Sequence, residues 1–151
     1  MQPIHAQKKR LDALFDKARD MSEDPELLSN WAKYLCVLTC GFLENSVESC
    51  LVEYCRKHGD ENMINFVSTK LKSFQNPKMG KILELVGSFS RTWEADLKLQ
   101  CEGQISDAVN SIVANRHLIA HGGASQVSMS AVKSYYADVV RAIDIMFDVC
   151  A

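Results

Sequence analysis

Residues 35–54, LCVLTCGFLENSVESCLVEY, form the centre of the longest apolar pattern in this chain. Large apolar side chains recur there at intervals of three and four residues: Leu35, Leu38, Phe42, Leu43, Val47, Leu51 and Tyr54. That spacing places them on one face of an α-helix. The pattern extends from about residue 26 to residue 58, so it predicts a long helix whose apolar face other helices must cover.

Helical periodicity continues on both sides of this segment, and no stretch alternates with period two for long. Because the connections between amphipathic segments are short, neighbouring helices are expected to run antiparallel. We therefore predict one all-α domain over residues 1–151, an antiparallel up-and-down bundle of four to five main helices. The remaining helical segments are predicted at about 4–21, 61–74, 79–87, 90–100 and 104–121, and from Ser128 or Ser130 to about 149.

The composition is that of a globular protein, with 151 residues, 47% hydrophobic and 24% charged. A formal net charge of −2 argues against a general electrostatic grip on nucleic acid, so any RNA contact must come from a local patch. No apolar run approaches the roughly 18 residues of a membrane span. The N-terminus lacks the basic-then-apolar pattern of a signal peptide. We expect a cytoplasmic protein with no membrane contact.

The six cysteines do not form a recognisable metal or redox motif. Cys36, Cys40, Cys50 and Cys55 all fall within the predicted helix 26–58, and no CxxC pair occurs. We expect reduced, mostly buried thiols that behave as small hydrophobic side chains.

The most unusual polar pattern is Arg116-His117-Leu118-Ile119-Ala120-His121, followed by Gly122-Gly123. On a helical wheel Arg116 falls within the arc of about 100° that the apolar residues of segment 104–121 occupy. A permanent charge within an apolar stripe is unfavourable unless the side chain has an ion-pair partner or a function. In RNA cleavage, His121 could accept the 2′-hydroxyl proton and Arg116 could offset the phosphorane charge. In the alternative interpretation, Arg116 pairs with a buried carboxylate and His121 caps the helix end.

The segment Asn115–Gly122 resembles the signature of HEPN domains, an all-α family with Arg-x(4–6)-His late in a major helix, and in particular its RiboL-PSP branch. His117 stands at the polar position after the arginine. Segment Thr39–Glu44 is similar to the family's apolar stretch that ends in glutamate, and Tyr135-Tyr136 resembles the start of its final helix.

This resemblance implies a metal-independent endoribonuclease that needs no cofactor and acts as a homodimer with both motifs facing one cleft. Arg116 and His121 would be catalytic, while His117, Glu44 and Asn115 would be auxiliary. Glu44 would be the supporting carboxylate and a possible partner of Arg116. The expected context is a toxin–antitoxin or phage-defence system, with an antitoxin or operon protein as partner. Some HEPN toxins are modified on a tyrosine two positions after the histidine, but Gly123 stands there, which argues against that route of neutralisation.

Two other functions stay open from the sequence. Some HEPN domains are non-catalytic interaction or nucleotide-binding modules, such as the structural partner in a defence operon. His117 and His121 could also share a metal, as in a small helical metal-binding protein, although Leu118 replaces the zincin glutamate and no third ligand is evident.

A local positive segment lies within the acidic chain. Residues 62–83 contain no aspartate or glutamate but four lysines. These are RNA-binding candidates, with a solvated surface as the alternative: Lys70, Lys72, Lys78 and Lys81.

Overall fold

The computed structural model describes residues 2–20, 24–123, 125 and 127–151, and these residues contain seven α-helices and no strand. The all-α class is therefore confirmed. The helices are α1 (Gln2–Arg19), α2 (Pro25–His58), α3 (Glu61–Leu71), α4 (Met79–Phe89), α5 (Arg91–Cys101), α6 (Gln104–Ala120) and α7 (Met129–Val149).

The prediction of four to five main helices is wrong in its count. Four helices are long, namely α1, α2, α6 and α7, with 18, 34, 17 and 21 residues. Between α2 and α6, the chain folds into three helices of 11 residues each. The side chains of Asp60 and Ser90 cap α3 and α5 by accepting backbone N–H groups, and a turn at residues 72–78 separates α3 from α4.

Helix α2 is the central element, and α1, α3, α6 and α7 all pack against it. Two thiol hydrogen bonds link α2 to α6 and to α7. The Cys36 thiol donates to the Ile112 carbonyl at 3.6 Å, and the Cys50 thiol donates to the Met146 carbonyl at 3.7 Å. The core is therefore built around α2, as the 35–54 pattern predicted.

By length and composition, α2 is also apolar enough to cross a membrane, with a mean hydropathy of 1.4 over an 18-residue window. The sequence analysis found no uninterrupted apolar run of this length, so it did not single out α2 as a helix of such high mean hydropathy. In the fold, 61% of that window is buried against the other helices. Burial on several sides is a sufficient reason for the apolar composition of a core helix.

Polar side chains cap the first turns of α2 and α7. Pro25 occupies the first turn of α2, and Asp24 caps it by accepting from Glu26 N and Leu27 N. Ser128, rather than Ser130, caps α7 by accepting from Ala131 N at 3.1 Å. The predicted end of the first helix, at residue 21, lies outside the described residues.

All six cysteines are free and buried, which confirms the prediction of buried thiols. Burial raises the pKa of the Cys36 thiol to about 11, so the group stays protonated at neutral pH. The Cys36 thiol is therefore a packing group and a weak donor rather than a nucleophile.

A hydrogen bond between Tyr136 of α7 and Asp12 ties α1 to the bundle. The Tyr136 hydroxyl donates to Asp12 Oδ1 at 2.7 Å, and its ring stacks on Phe15 with centroids 4.6 Å apart. Burial raises the pKa of Asp12, but the hydrogen bond from Tyr136 and the neighbouring Lys8 ammonium outweigh burial and hold that pKa below its usual value.

We expect Tyr136→Phe to lower the free energy of unfolding by about 1 kcal/mol, the usual contribution of one hydrogen bond. Because the folded-state pKa of Asp12 is lowered, its contribution is present above the unfolded pKa and is lost as pH falls through the folded pKa. The difference between variant and wild type should therefore shrink under acid conditions. Urea unfolding at pH 7 and at successively lower pH would measure it.

The matched control is Tyr135→Phe, since the described residues give the Tyr135 hydroxyl no hydrogen bond. An equal loss of stability in both variants would contradict a specific role for the Tyr136–Asp12 bond.

Candidate functional site

The motif lies where helix α6 leaves the core. The first three turns are buried through Ile105, Val109 and Ile112, and the buried face ends at Val113. Beyond this point Ile119 is half-buried and Ala120 is exposed, although the helical wheel placed both in the apolar arc. Arg116 is therefore half-buried at the rim of the bundle rather than enclosed in the core.

Arg116 donates one long hydrogen bond, from Nη1 to Asn76 Oδ1 at 3.4 Å. Among the residues that the structure describes, no carboxylate lies within 4.0 Å of its guanidinium group. A guanidinium has five N–H donors. Most of its hydrogen-bonding capacity therefore faces solvent at the rim.

Glu44, the predicted partner of Arg116, contacts Cys40 instead. It is half-buried on α2, and its Oε1 accepts from Cys40 Sγ at 3.8 Å. Burial and the neighbouring Glu44 carboxylate raise the pKa of Cys40 to about 12, although the Arg116 guanidinium opposes them. Glu44 and Arg116 thus influence the same thiol, but they form no ion pair with each other.

His121 occupies the C-cap of α6, one residue beyond the helix. Gly122 has φ of +70°. Its N–H donates to Ile119 O at 3.2 Å, and Gly123 N–H donates to Leu118 O at 2.7 Å. This pair of bonds is the Schellman motif, which needs a left-handed residue at the position of Gly122. The glycine pair therefore determines where the backbone places His121.

His117 and His121 lie one turn apart and their rings contact each other. The ring centroids are 4.4 Å apart at an interplanar angle of 57°, and both side chains are exposed. Within the described part of the chain, no three His, Cys, Asp or Glu side chains gather in a way that could hold a metal ion. The contact orients the imidazole of His121 at the surface.

Asn115 holds the loop that follows the motif. Its Nδ2 donates to Ser111 O at 2.8 Å, and its Oδ1 accepts from Ser125 Oγ at 3.0 Å. Ser125 is 8% exposed, so this bond pulls the chain back onto α6 after the glycines. Both polar atoms of the Asn115 side chain make these hydrogen bonds. Asn115 therefore holds the loop after the motif in position.

A groove of about 430 Å³ lies beside the motif, between α6 and the turn that precedes α4. Asn110 anchors that turn, because its Oδ1 accepts from Met79 N at 2.8 Å. Sequence reasoning missed the roles of Asn76 and Asn110, because both depend on contacts between residues more than thirty positions apart. The groove is lined by Asn76, Lys78, Val113, Ala114, His117 and Leu118.

Of the four candidate lysines, Lys78 lines the groove. All four are exposed, and none forms an ion pair within the described residues. The structure thus brings His117 and Lys78 to the groove, with Arg116 bonded to Asn76 at its edge and His121 against His117. Glu44 and Asn115 make their contacts elsewhere, with Cys40 and with Ser111 and Ser125.

A family model described as RiboL-PSP-HEPN matches residues 4–151. No curated protein and no solved structure gives a significant match. The matched range covers all the helices described above, except for the first two residues of α1. It also includes every residue that lines the groove.

The Gly122 cap generates a prediction about the motif. We expect Gly122→Ala to lower the free energy of unfolding by about 1 kcal/mol, because a Cβ is strained at φ of +70° although no heavy atom lies within 4 Å of it. Amide exchange at Gly123 should also become faster as the last turn of α6 loosens. Denaturant unfolding and hydrogen exchange would measure the two effects.

Gly80→Ala is the control, since Gly80 lies in α4 with a negative φ and equally open space for a Cβ. That variant should be neutral or slightly more stable. A Gly122→Ala protein as stable as Gly80→Ala would exclude the left-handed cap.

Proposed function

The chain belongs to the RiboL-PSP-HEPN family, and we propose that it is a metal-independent endoribonuclease whose catalytic groups are Arg116 and His121. Family membership supports the broader class, a ribonuclease or a nucleotide-related module. The observation that carries the narrower proposal is the guanidinium of Arg116, which stands at the rim of a groove with no carboxylate partner within the described residues.

The proposed reaction is transesterification by the 2′-hydroxyl of RNA. His121 removes the 2′-hydroxyl proton as the oxygen attacks the adjacent phosphorus. Arg116 holds the non-bridging phosphate oxygens by two parallel hydrogen bonds and offsets the charge of the phosphorane. The bond to the 5′-oxygen then breaks, and a proton transferred to that oxygen yields a 5′-hydroxyl and a 2′,3′-cyclic phosphate.

A homodimer would supply both proton-transfer groups. One His121 imidazole can serve as base while the equivalent group of a second copy, protonated, serves as acid. Leu118 is 43% exposed on the motif turn, and Val113 and Ala114 add an apolar wall to the groove. We propose that this rim is where the two copies approach, so that both motifs face one cleft.

The other residues would support this chemistry. His117, whose ring contacts His121, would hold the base in orientation. Lys78 would bind a phosphate next to the scissile one. The proposed setting is a cytoplasmic toxin–antitoxin or phage-defence system, in which an antitoxin or operon protein restrains the cleavage.

The apolar wall of the groove also favours a second candidate, a non-catalytic interaction or nucleotide-binding module. A nucleobase or an apolar side chain of a partner fits a surface of Val113, Ala114 and Leu118 without any reaction. In this case Arg116 would bind an anionic group and His121 would only cap the helix.

We expect the purified protein to cleave total RNA and a tRNA mixture in excess EDTA and to leave 2′,3′-cyclic phosphate ends. His121→Ala and Arg116→Ala should each lose roughly 100-fold or more in rate, the usual size of a general acid–base or oxyanion contribution. Arg116→Lys should fail as well, because lysine cannot make the two-point contact. End-group mapping of the products identifies the chemistry.

His5→Ala and Arg10→Ala, both exposed on α1, are the matched controls and should cleave at the wild-type rate. Equal behaviour of all variants would reject catalysis by the motif and favour the interaction module. Loss of activity on adding EDTA would reject the metal-independent mechanism.

A further inference from the structure

Helix α3 has two apolar faces, and only one of them is buried. Leu71 is 5% exposed and Val67 packs against the core. On another face, Met63 and Phe66 are 50% and 63% exposed. Lys70 shares this face, since positions 63, 66 and 70 recur at helical spacing. Packing against the core explains the apolar side chains of the first face. It does not explain why an apolar ring, that of Phe66, is exposed on the second face.

Two lysine ammonium groups lie over aromatic rings within residues 62–83. Lys70 Nζ lies 5.6 Å from the centroid of the Phe66 ring, and Lys81 Nζ lies 5.3 Å from that of Phe74. No acidic residue occurs from residue 62 to residue 83. By contrast, Lys8 of α1 is paired with Asp12 at 2.9 Å. Lys81 Nζ also donates to Gln75 O, but no lysine of this segment forms an ion pair within the described residues, so no neighbouring carboxylate neutralises its positive charge.

The chain leads directly from α3 to the motif groove. The turn that follows α3 carries Asn76, which accepts from Arg116, and Lys78, which lines the groove. We name the surface from α3 to the groove the α3 strip. It consists of Met63, Phe66, Lys70, Phe74, Lys78 and Lys81.

We propose that the α3 strip binds single-stranded RNA and guides it into the motif groove. Phe66 would stack on an unpaired base, and Lys70, Lys78 and Lys81 would contact phosphates. The identity of the polymer rests on the proposed function. In the strip, the exposed Phe66 ring lies among lysine side chains. An unpaired strand presents the matching groups, since its bases can stack on an aromatic ring and its phosphates can contact lysines.

Two properties favour an unpaired strand over a duplex or an acidic peptide. The bases of a duplex are already stacked on each other and offer Phe66 no free face. An acidic peptide would satisfy the lysines but would leave the exposed ring without a flat partner. In a chain with a net charge of −2, binding also needs the stacking contribution, because the general electrostatic attraction is absent.

The test measures binding separately from cleavage. The binding probe is a fluorescent 2′-O-methyl oligonucleotide of about ten unstructured nucleotides, which cannot be cleaved because its 2′-oxygen is blocked. A duplex of equal length is the second probe. Cleavage is followed with a dinucleoside monophosphate, which carries one phosphodiester and no flanking nucleotides for the strip, and with an unmodified oligonucleotide as long as the binding probe.

For Phe66→Ala we expect Kd for the single strand to rise about fivefold or more, with little change for the duplex. For Lys78→Ala we expect weaker binding and a slope of log Kd against log salt that is smaller by about 0.7. Leu99→Ala and Lys98→Ala are matched controls, since both residues are exposed on α5 outside the strip, and they should bind like wild type.

The outcomes separate this proposal from the proposed function. If Phe66→Ala weakens single-strand binding and raises KM for the long substrate only, the strip binds RNA as proposed. If binding weakens but no substrate is ever cleaved, the strip stands and the catalytic proposal fails. If Phe66→Ala binds the single strand as wild type does, the strip proposal is overturned. A simultaneous change in oligomeric state would then assign Phe66 to a protein contact.

Discussion

The burial of α2 on several sides is the constraint on which the rest of this structure depends. A 34-residue helix that buries Leu35, Phe42, Leu43, Val47 and Leu51 cannot be stable alone in water. Each such side chain contributes about 1.5–3 kcal/mol when it is fully covered. The covered surface is so wide that it also includes two hydroxyls, Thr39 Oγ1 and Ser46 Oγ, which have no hydrogen-bond partner within the described residues. Apolar burial offsets that cost of about 1–3 kcal/mol for each hydroxyl.

The geometry of α6 follows from this core. The Cys36 contact to the Ile112 carbonyl positions the helix against α2, and the apolar face ends soon after, at Val113. The last turn therefore lies at the edge of the bundle, where only Ile119 still packs against the core. Arg116 stands at this boundary, where solvent and Asn76 can stabilise its charge without a buried carboxylate. The same boundary leaves most N–H donors of Arg116 without a partner among the described residues.

The segment between α2 and α6 completes the site. Its three short helices cover the flank of the bundle, and the turn before α4 forms one wall of the groove. Since Asn110 holds the start of α4 by its backbone N–H, the wall is attached to the same helix that carries the motif. The two walls of the groove are thus joined by a hydrogen bond, although their residues come from distant parts of the sequence.

The sequence by itself determined the helices, most of their ends, the buried thiols and the Arg116–His121 motif. These are local properties, because periodicity, capping residues and motif spacing act within a few turns of one helix. The tertiary structure decided which groups meet. It replaced the expected Glu44 partner of Arg116 with Asn76, made Asn115 a tether for Ser125, and left Phe66 exposed beside Lys70. Those outcomes depend on how α3, α4 and α6 pack around α2, and the position at which an apolar face leaves the core is a property of the assembled bundle rather than of any one helix.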